Sequence, residues 1–292
     1  MTAAAAVAPG TNRKAGGELK SPLALAAPLG IAYILFFAAP LILLLGISFF
    51  EDNDLTRVGP AQWVKFLSDP FYLNVVLQTL ELGVLTVIAT TLLGYPLAVV
   101  FMNAPPWAQR LLIFIIILPL LTSVVVRTFA WIVILSREGL INQTLISLGL
   151  VNEPLRLLQT EYGLIIALTQ IEMPLMLLPL ITVMRQIDPA VIDASRALGA
   201  SRWRTFWQII VPLSLPGWVA GATLVFASSV TAFISQSVIG GGRLVYLPSV
   251  IWQQSMVVYN WPFASVAAVL LLVTVLVGVT LLGILGRRIS KV

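Results

Sequence analysis

The sequence has no cysteine and no histidine. These absences exclude disulfides, thiolate nucleophiles, zinc sites built from Cys and His, and acid–base catalysis by imidazole. No glycine is followed by lysine, so the phosphate-binding motif G-x-x-x-x-G-K-[ST] does not occur, and any ATP that drives this protein binds to another chain. No G-x-S-x-G motif supplies a serine nucleophile. We therefore expect a protein that is not an enzyme and binds no metal or cofactor itself.

Charged residues are scarce. They make up 10% of the chain, whereas about 25% is usual in soluble domains. Hydrophobic residues make up 59%, and the mean hydropathy of +0.99 indicates an integral membrane protein. The net charge is +5, but the lysines and arginines are distributed as in a membrane protein whose loops are oriented by charge. We therefore do not expect nucleic acid as a partner.

Six apolar runs of membrane-spanning length follow one another along the chain. They lie at 23–49, 74–102, 110–135, 161–184, 211–235 and 263–286. We predict an all-α fold: a polytopic membrane helix bundle of six transmembrane helices in one domain, 23–292, after a disordered cytoplasmic tail, 1–22. Prolines inside the runs are expected to divide several spans into half-helices, at positions 96, 119, 174, 179, 212 and 216.

The positions of lysine and arginine predict the orientation. Eleven of the 17 lie on the side of the two termini and the loop between the fourth and fifth runs, and five lie on the other side. By the positive-inside rule, both termini and this loop are cytoplasmic. The lipid bilayer is therefore a partner along the whole bundle.

The loop between the fourth and fifth runs, about 187–211, carries helix signals that are unusual in so apolar a chain. Asp188 before Pro189 predicts a capped helix start, Gly199 suits a left-handed helix end, and Ser201 can cap a second helix. In that second helix one apolar stripe is predicted, formed by Trp203, Phe206, Trp207 and Ile210. Such a stripe packs on the bundle or enters the groove of a partner.

The spacing within this loop resembles the signature of permease subunits of type I importers of the ATP-binding-cassette superfamily, Glu-Ala-Ala, three residues, Gly, nine residues, Ile-x-Leu-Pro. Here Asp193-Ala194-Ser195, Gly199 and Ile209-Ile210-Val211-Pro212 keep the spacing, with three mild substitutions. The runs 198–217, 238–242, 252–254 and 261–263 resemble the spermidine/putrescine permease class.

The resemblance implies that the loop is a coupling helix and docks on a cytoplasmic ATP-binding-cassette ATPase dimer, which holds ATP and Mg. Arg196, Arg202, Trp203 and Phe206 lie beside the motif and would share that contact. Further partners implied are a second, paralogous permease subunit and a periplasmic or lipid-anchored solute-binding protein. The setting implied is the bacterial inner membrane. Composition alone leaves another interpretation open, in which the loop only supplies cytoplasmic charge and connects two spans.

Three charged side chains lie within the apolar runs, and each needs a partner or a water-filled path. Glu172 is the strongest candidate for a solute site, because Gln170 precedes it and Pro174 removes the donor for the Gln170 carbonyl. Glu81 and Arg127 are the others, and Ser229 and Gln236 are expected to line the same path. Structural roles remain open, namely an ion pair of Arg127 with either acid and helix packing by the polar groups.

The function expected is that of an importer permease which moves a small solute by alternating access, best matched by a polyamine such as spermidine or putrescine. One alternative is an importer of the same class for another small organic solute. A second is an ion-coupled secondary transporter that uses Glu81 or Glu172 as a relay. No internal repeat of the six-span pattern supports the secondary transporter.

Overall fold

The computed structural model describes residues 22–289, with side chains from 28 to 288. Within these residues the regular structure consists of helices, with no β-strand, apart from one isolated antiparallel bridge between Phe50 and Val58. The predicted all-α class is confirmed. The predicted disordered tail lies outside the described residues except for Pro22, which begins a helix.

Among the described residues, five helices are long and apolar enough to cross a membrane, and the number is six when one bent helix pair is counted as a single span. The spans are Pro28–Ile47, Pro70–Asn103, the pair Pro106–Leu121 and Val124–Ser147, Glu161–Met184, Arg202–Thr231, and Trp261–Arg288. Shorter helices lie between them, at Ala61–Ser68, Phe233–Gly240 and Leu247–Trp252. The chain divides into two compact units between Leu44 and Leu45, so the second to sixth spans belong to one unit.

The third span is not the single helix that was predicted at 110–135. The helix Pro106–Ile117 passes into a 3-10 turn at Leu118–Leu121, and the chain then bends by 103° before the helix Val124–Leu135. Pro119 has no N–H to continue the α-helical pattern, and its carbonyl accepts from the Thr122 hydroxyl at 2.8 Å. The apolar run therefore contains a sharp corner.

The fifth span also differs from its prediction, at both ends. Its helix begins at Arg202 inside the loop, passes through a π-helical segment, Phe206–Ile210, and ends at Thr231 instead of 235. At Ala232 the backbone leaves the helical region, with ψ 58°, and a short helix, Phe233–Gly240, follows. The second helix of the loop and the fifth span are therefore one continuous element.

The other prolines do not divide their spans as predicted. Pro96, Pro174, Pro179 and Pro216 all lie inside unbroken helices, and Pro212 lies in the first turn after the π-helical segment. A membrane helix tolerates proline where neighbouring helices support the freed carbonyl groups. Among the predicted breaks, only the one at Pro119 is present.

The fourth span is the centre of the second unit. It packs most extensively against the fifth span and then against the second. Small residues permit the closest approach, since a Cβ on Gly217 or Gly221 would lie within 3.0 Å of backbone oxygens of the fourth span. One hydrogen bond joins the fifth span to the second, with Trp218 Nε1 donating to Thr91 Oγ1 at 2.9 Å. The fourth span is thus packed closely between the second and fifth spans.

Candidate functional site

The loop between the fourth and fifth spans forms a helical hairpin, residues 188–205, hereafter the 188–205 hairpin. Its first helix, Pro189–Ala197, begins as predicted: the Asp188 carboxylate accepts from the Ala190 N–H at 2.9 Å, and Pro189 occupies the first helical position. Because these signals act between neighbouring residues, the sequence alone was sufficient to find them.

The turn of the hairpin also forms as predicted. Gly199 has φ 82°, in the left-handed region that favours glycine, and the Ser201 hydroxyl accepts from the Arg204 N–H at 3.2 Å. A contact that the sequence did not reveal closes the hairpin: the hydroxyls of Ser195 and Thr205 lie 2.7 Å apart, and both residues are buried. The two helices are thus held together by a buried hydrogen bond.

The apolar stripe of the second hairpin helix changes from exposed to packed along its length. Trp203 is 70% exposed and Trp207 is 53% exposed. Phe206 contacts both rings and also meets the Tyr95 ring of the second span edge-on, with 6.1 Å between centroids. Ile210 packs against the core between the second and fourth spans. The predicted stripe is confirmed, and its outer end is free to contact another surface.

The remaining motif residues lie on the same hairpin or directly after it. Asp193 and Ala194 are exposed, and an exposed ion pair joins Asp193 to Arg196 at 3.5 Å, a contact that contributes little to stability. Ile209 is half-buried, and Pro212 is exposed at the start of the apolar part of the fifth span. Arg196 and Arg202 also line a cavity of about 590 Å³ between the hairpin and the second and fourth spans.

A second cavity, the span cavity, lies between the third, fourth and fifth spans and has a volume of about 510 Å³. Its walls come from the corner of the third span, the middle of the fourth span and the break after the fifth span. The lining residues are Leu120, Val124, Arg127, Ile171, Glu172, Leu175, Ser228, Thr231, Ala232, Phe233, Ile234 and Ser235. The corner at Pro119 and the break at Ala232 therefore form the cavity, and among the predicted path residues Glu172 and Arg127 line it.

Glu172 is 5% exposed, and its carboxylate shares the span cavity with the Arg127 guanidinium and the Ser228 hydroxyl. The expected ion pair of Arg127 with an acid does not form: the ion pairs within 4.0 Å among the described residues join other groups. Arg127 instead donates to the carbonyl of Ile171 at 3.2 Å. The carbonyl that accepts a side-chain hydrogen bond here is therefore that of Ile171, whereas the sequence predicted that Pro174 would free the carbonyl of Gln170.

Gln170 and Glu81 do not line the span cavity. The Gln170 side chain accepts from Trp131 Nε1 at 3.0 Å, which joins the fourth span to the third. Glu81 is exposed on the second span, near Glu161 and Tyr246. Burial, followed by the charges of Glu161 and Glu81, raises the pKa of Tyr246. Glu81 therefore belongs to a separate region, close to the start of the fourth span.

Ser229 and Gln236 lie behind the cavity wall, which corrects the expectation that they line it. The Gln236 amide donates to the carbonyls of Ser229 at 2.9 Å and of Val230 at 3.1 Å, at the end of the fifth-span helix. It thereby satisfies carbonyl groups that the break exposes. The wall position is taken by Ser228, and Ser235 reaches the third span through Thr128 at 3.1 Å.

A family model and individual proteins of known name both match most of this chain. Residues 83–291 match the family described as "Binding-protein-dependent transport system inner membrane component". The spermidine/putrescine transport system permease protein PotB of Escherichia coli (strain K12) is 32% identical over 253 residues, 85% of this chain and 91% of that protein. The protein of the same name from Haemophilus influenzae is 32% identical over 239 residues, 81% of this chain and 84% of that protein.

Solved structures show a similar fold. A bacterial ABC transporter involved in the import of the acidic polysaccharide alginate has a TM-score of 0.72 at 20% identity, over 91% of this chain and 95% of that chain. An amino acid ABC transporter has a TM-score of 0.53 at 17% identity, over 80% of this chain and 100% of that chain. At these identities the likeness concerns the fold alone.

Proposed function

Because this chain belongs to the family of binding-protein-dependent transport system inner membrane components, we propose that its cargo is a polyamine such as spermidine or putrescine. The observation that carries this proposal is the buried Glu172 carboxylate, which faces the mostly apolar span cavity. A carboxylate attracts an ammonium group, and apolar walls contact the methylene chain between ammonium groups. The 32% identity with spermidine/putrescine permeases supports the same cargo.

The 188–205 hairpin is the attachment site for a cytoplasmic ATP-binding-cassette ATPase dimer, which binds ATP and Mg. The exposed Trp203 and Trp207 rings and the 89% exposed Leu198 side chain support this role, because exposed large apolar groups are typical of contact surfaces. The distribution of lysine and arginine supports a cytoplasmic location for the hairpin and for both chain termini. A second, paralogous permease subunit and a solute-binding protein at the outer face complete the complex.

Transport follows from the continuity of the fifth span. Its helix carries the hairpin residues Arg202 and Trp203 at one end, and Ser228 and Thr231 of the span cavity at the other. Closure of the ATPase dimer moves the hairpin and tilts this helix, which shifts the population between inward- and outward-facing states. The permease itself breaks no bond.

Uptake by the reconstituted complex tests the cargo. We expect E172Q to lower ATP-driven uptake of labelled spermidine at least about tenfold, the scale for loss of one charge-assisted contact. E161Q is the matched control, because Glu161 lies in the same helix and outside the span cavity. Equal uptake by E172Q and wild type, or no spermidine uptake by wild type, would contradict the proposed cargo.

Co-purification of the ATPase tests the attachment site. Gly199 and Gly149 both have positive φ, and no heavy atom lies within 4 Å of a Cβ at either position. G199W and G149W therefore impose a similar local strain, but only Gly199 lies in the 188–205 hairpin. We expect G199W to lose the ATPase and G149W to retain it. Retention by both variants would place the attachment elsewhere.

A further inference from the structure

The span cavity contains two opposite charges that do not neutralise each other by direct contact. Arg127 and Glu172 both line it, and they are close enough to attract each other, yet they are not among the ion pairs within 4.0 Å. An ionised side chain at this depth in a membrane protein is costly unless it is paired or hydrated. Each charge has a neutral neighbour, the Ser228 hydroxyl for Glu172 and the Ile171 carbonyl for Arg127, and each can therefore still attract an opposite charge.

The Arg127 guanidinium is incompletely satisfied. One terminal nitrogen donates to the Ile171 carbonyl at 3.2 Å, whereas the buried Nε–H has no hydrogen-bond partner among the described residues. A guanidinium presents five N–H donors in a planar fork, so a buried unpaired donor favours any rearrangement that supplies an acceptor. The nearest acidic acceptor in the cavity wall is the carboxylate of Glu172, which follows Ile171 in the chain.

We propose that Arg127 is a built-in competitor of the cationic cargo for Glu172. While its guanidinium is bound to the Ile171 carbonyl, the Glu172 carboxylate, which has only the neutral Ser228 hydroxyl beside it, can hold an ammonium group. When the guanidinium turns to Glu172, it occupies the position of that ammonium group and prevents the cargo from rebinding. This inference rests on the proposed function, because it requires a cation as the cargo.

The competition also limits how strongly this subunit holds its cargo. With Arg127 present, the cavity wall has no net formal charge, so one ammonium group binds only at the expense of an existing attraction. Removing the arginine leaves Glu172 as the only charge in the wall and strengthens binding of the amine. Tighter binding favours rebinding from the cytoplasmic side, which opposes net import. Arg127 is thus a positioning residue that promotes release.

Inhibition by cargo inside proteoliposomes tests this role. The full complex is reconstituted with graded spermidine in the lumen, and the initial rate of ATP-driven uptake of labelled spermidine is measured. We expect R127Q to be inhibited at a lumenal concentration about tenfold below that for wild type, because one repelling and competing charge has been removed. R127K retains the charge and should keep the wild-type sensitivity. R127Q/E172Q should lose the added sensitivity.

The outcomes separate this inference from the proposed function. No spermidine uptake by wild type would refute the cargo. Normal wild-type uptake with unchanged inhibition of R127Q would overturn the competitor role and leave the cargo standing. R127M provides a second variant with an unbranched side chain if R127Q does not assemble. Failure of both variants to assemble would show that Arg127 holds the bundle together, which would also overturn the inference.

Discussion

Gly217 and Gly221 allow the fifth span to approach the fourth, and G221A tests how close that approach is. A Cβ on Gly221 would lie 2.9 Å from the carbonyl oxygen of Met176, and one on Gly217 would lie 2.8 Å from that of Pro179. Both oxygens belong to the backbone of a helix and cannot turn aside. The added methyl group must therefore push the two helices apart.

Two opposing contributions determine how much G221A changes the free energy of unfolding. Adding a methyl group to a well-packed contact costs about 1–3 kcal/mol. Replacing glycine by alanine inside a helix regains up to about 1 kcal/mol of helix propensity. Gly283 in the sixth span provides the control, because no heavy atom lies within 4 Å of a Cβ there. G283A changes stability only through helix propensity. The difference in unfolding free energy between G221A and G283A therefore measures the cost of the helix contact.

Thermal unfolding of the purified complex in detergent measures this difference. A cost of 1–3 kcal/mol corresponds to a midpoint for G221A roughly 2–12 °C below that of G283A. G217A should show a shift in the same direction, because the Pro179 carbonyl is equally close. Equal midpoints for G221A and G283A would refute the reasoning, since the helices would then have room for a methyl group.

Two further predictions concern local structure. S195A leaves the buried Thr205 hydroxyl without its hydrogen-bond partner, which lies 2.7 Å away, and should destabilise the hairpin by about 1–2 kcal/mol. Amide hydrogen exchange in residues 189–205 should therefore become faster, and unchanged exchange would contradict this prediction. The Thr56 hydroxyl, followed by the backbone N–H groups of Thr56 and Arg57, lowers the pKa of Asp52 to about 2 from 3.8. The Asp52 carboxylate thus stabilises its loop fully above pH 3.8, and this contribution is lost as the pH falls through about 2. T56A should raise that pKa toward 3.8 in an NMR titration of the carboxyl carbon, and an unchanged pKa would contradict the assignment to Thr56.

The features predicted correctly from the sequence depend on neighbouring residues. The caps at Asp188 and Ser201 and the left-handed turn at Gly199 each require a few adjacent residues, and all three form. The number of spans also follows from local composition, because each span needs only enough apolar residues to cross the bilayer. These signals do not require knowledge of the packed bundle.

The features that were missed depend on packing. Six prolines were predicted to divide spans, but only Pro119 does so, and the break at Ala232 was not predicted. Both breaks lie within continuous apolar runs, where contacts from other helices decide which residue interrupts a helix. The link from Gln236 to the end of the fifth-span helix appears only after the break is known. One missed signal was readable: Gly217 and Gly221 have the G-x-x-x-G spacing of close helix contacts in membranes.

The continuous helix Arg202–Thr231 has a geometric consequence of its own. It has 30 residues, with Arg202 in the hairpin and Ser228 and Thr231 in the wall of the span cavity. Because each residue of an α-helix turns the chain by about 100°, one inserted or deleted residue between them would rotate the cavity wall by that angle relative to the hairpin. Substitutions along the interval leave this rotational phase intact. The number of residues in the interval is therefore a functional parameter in itself, independent of which side chains fill it.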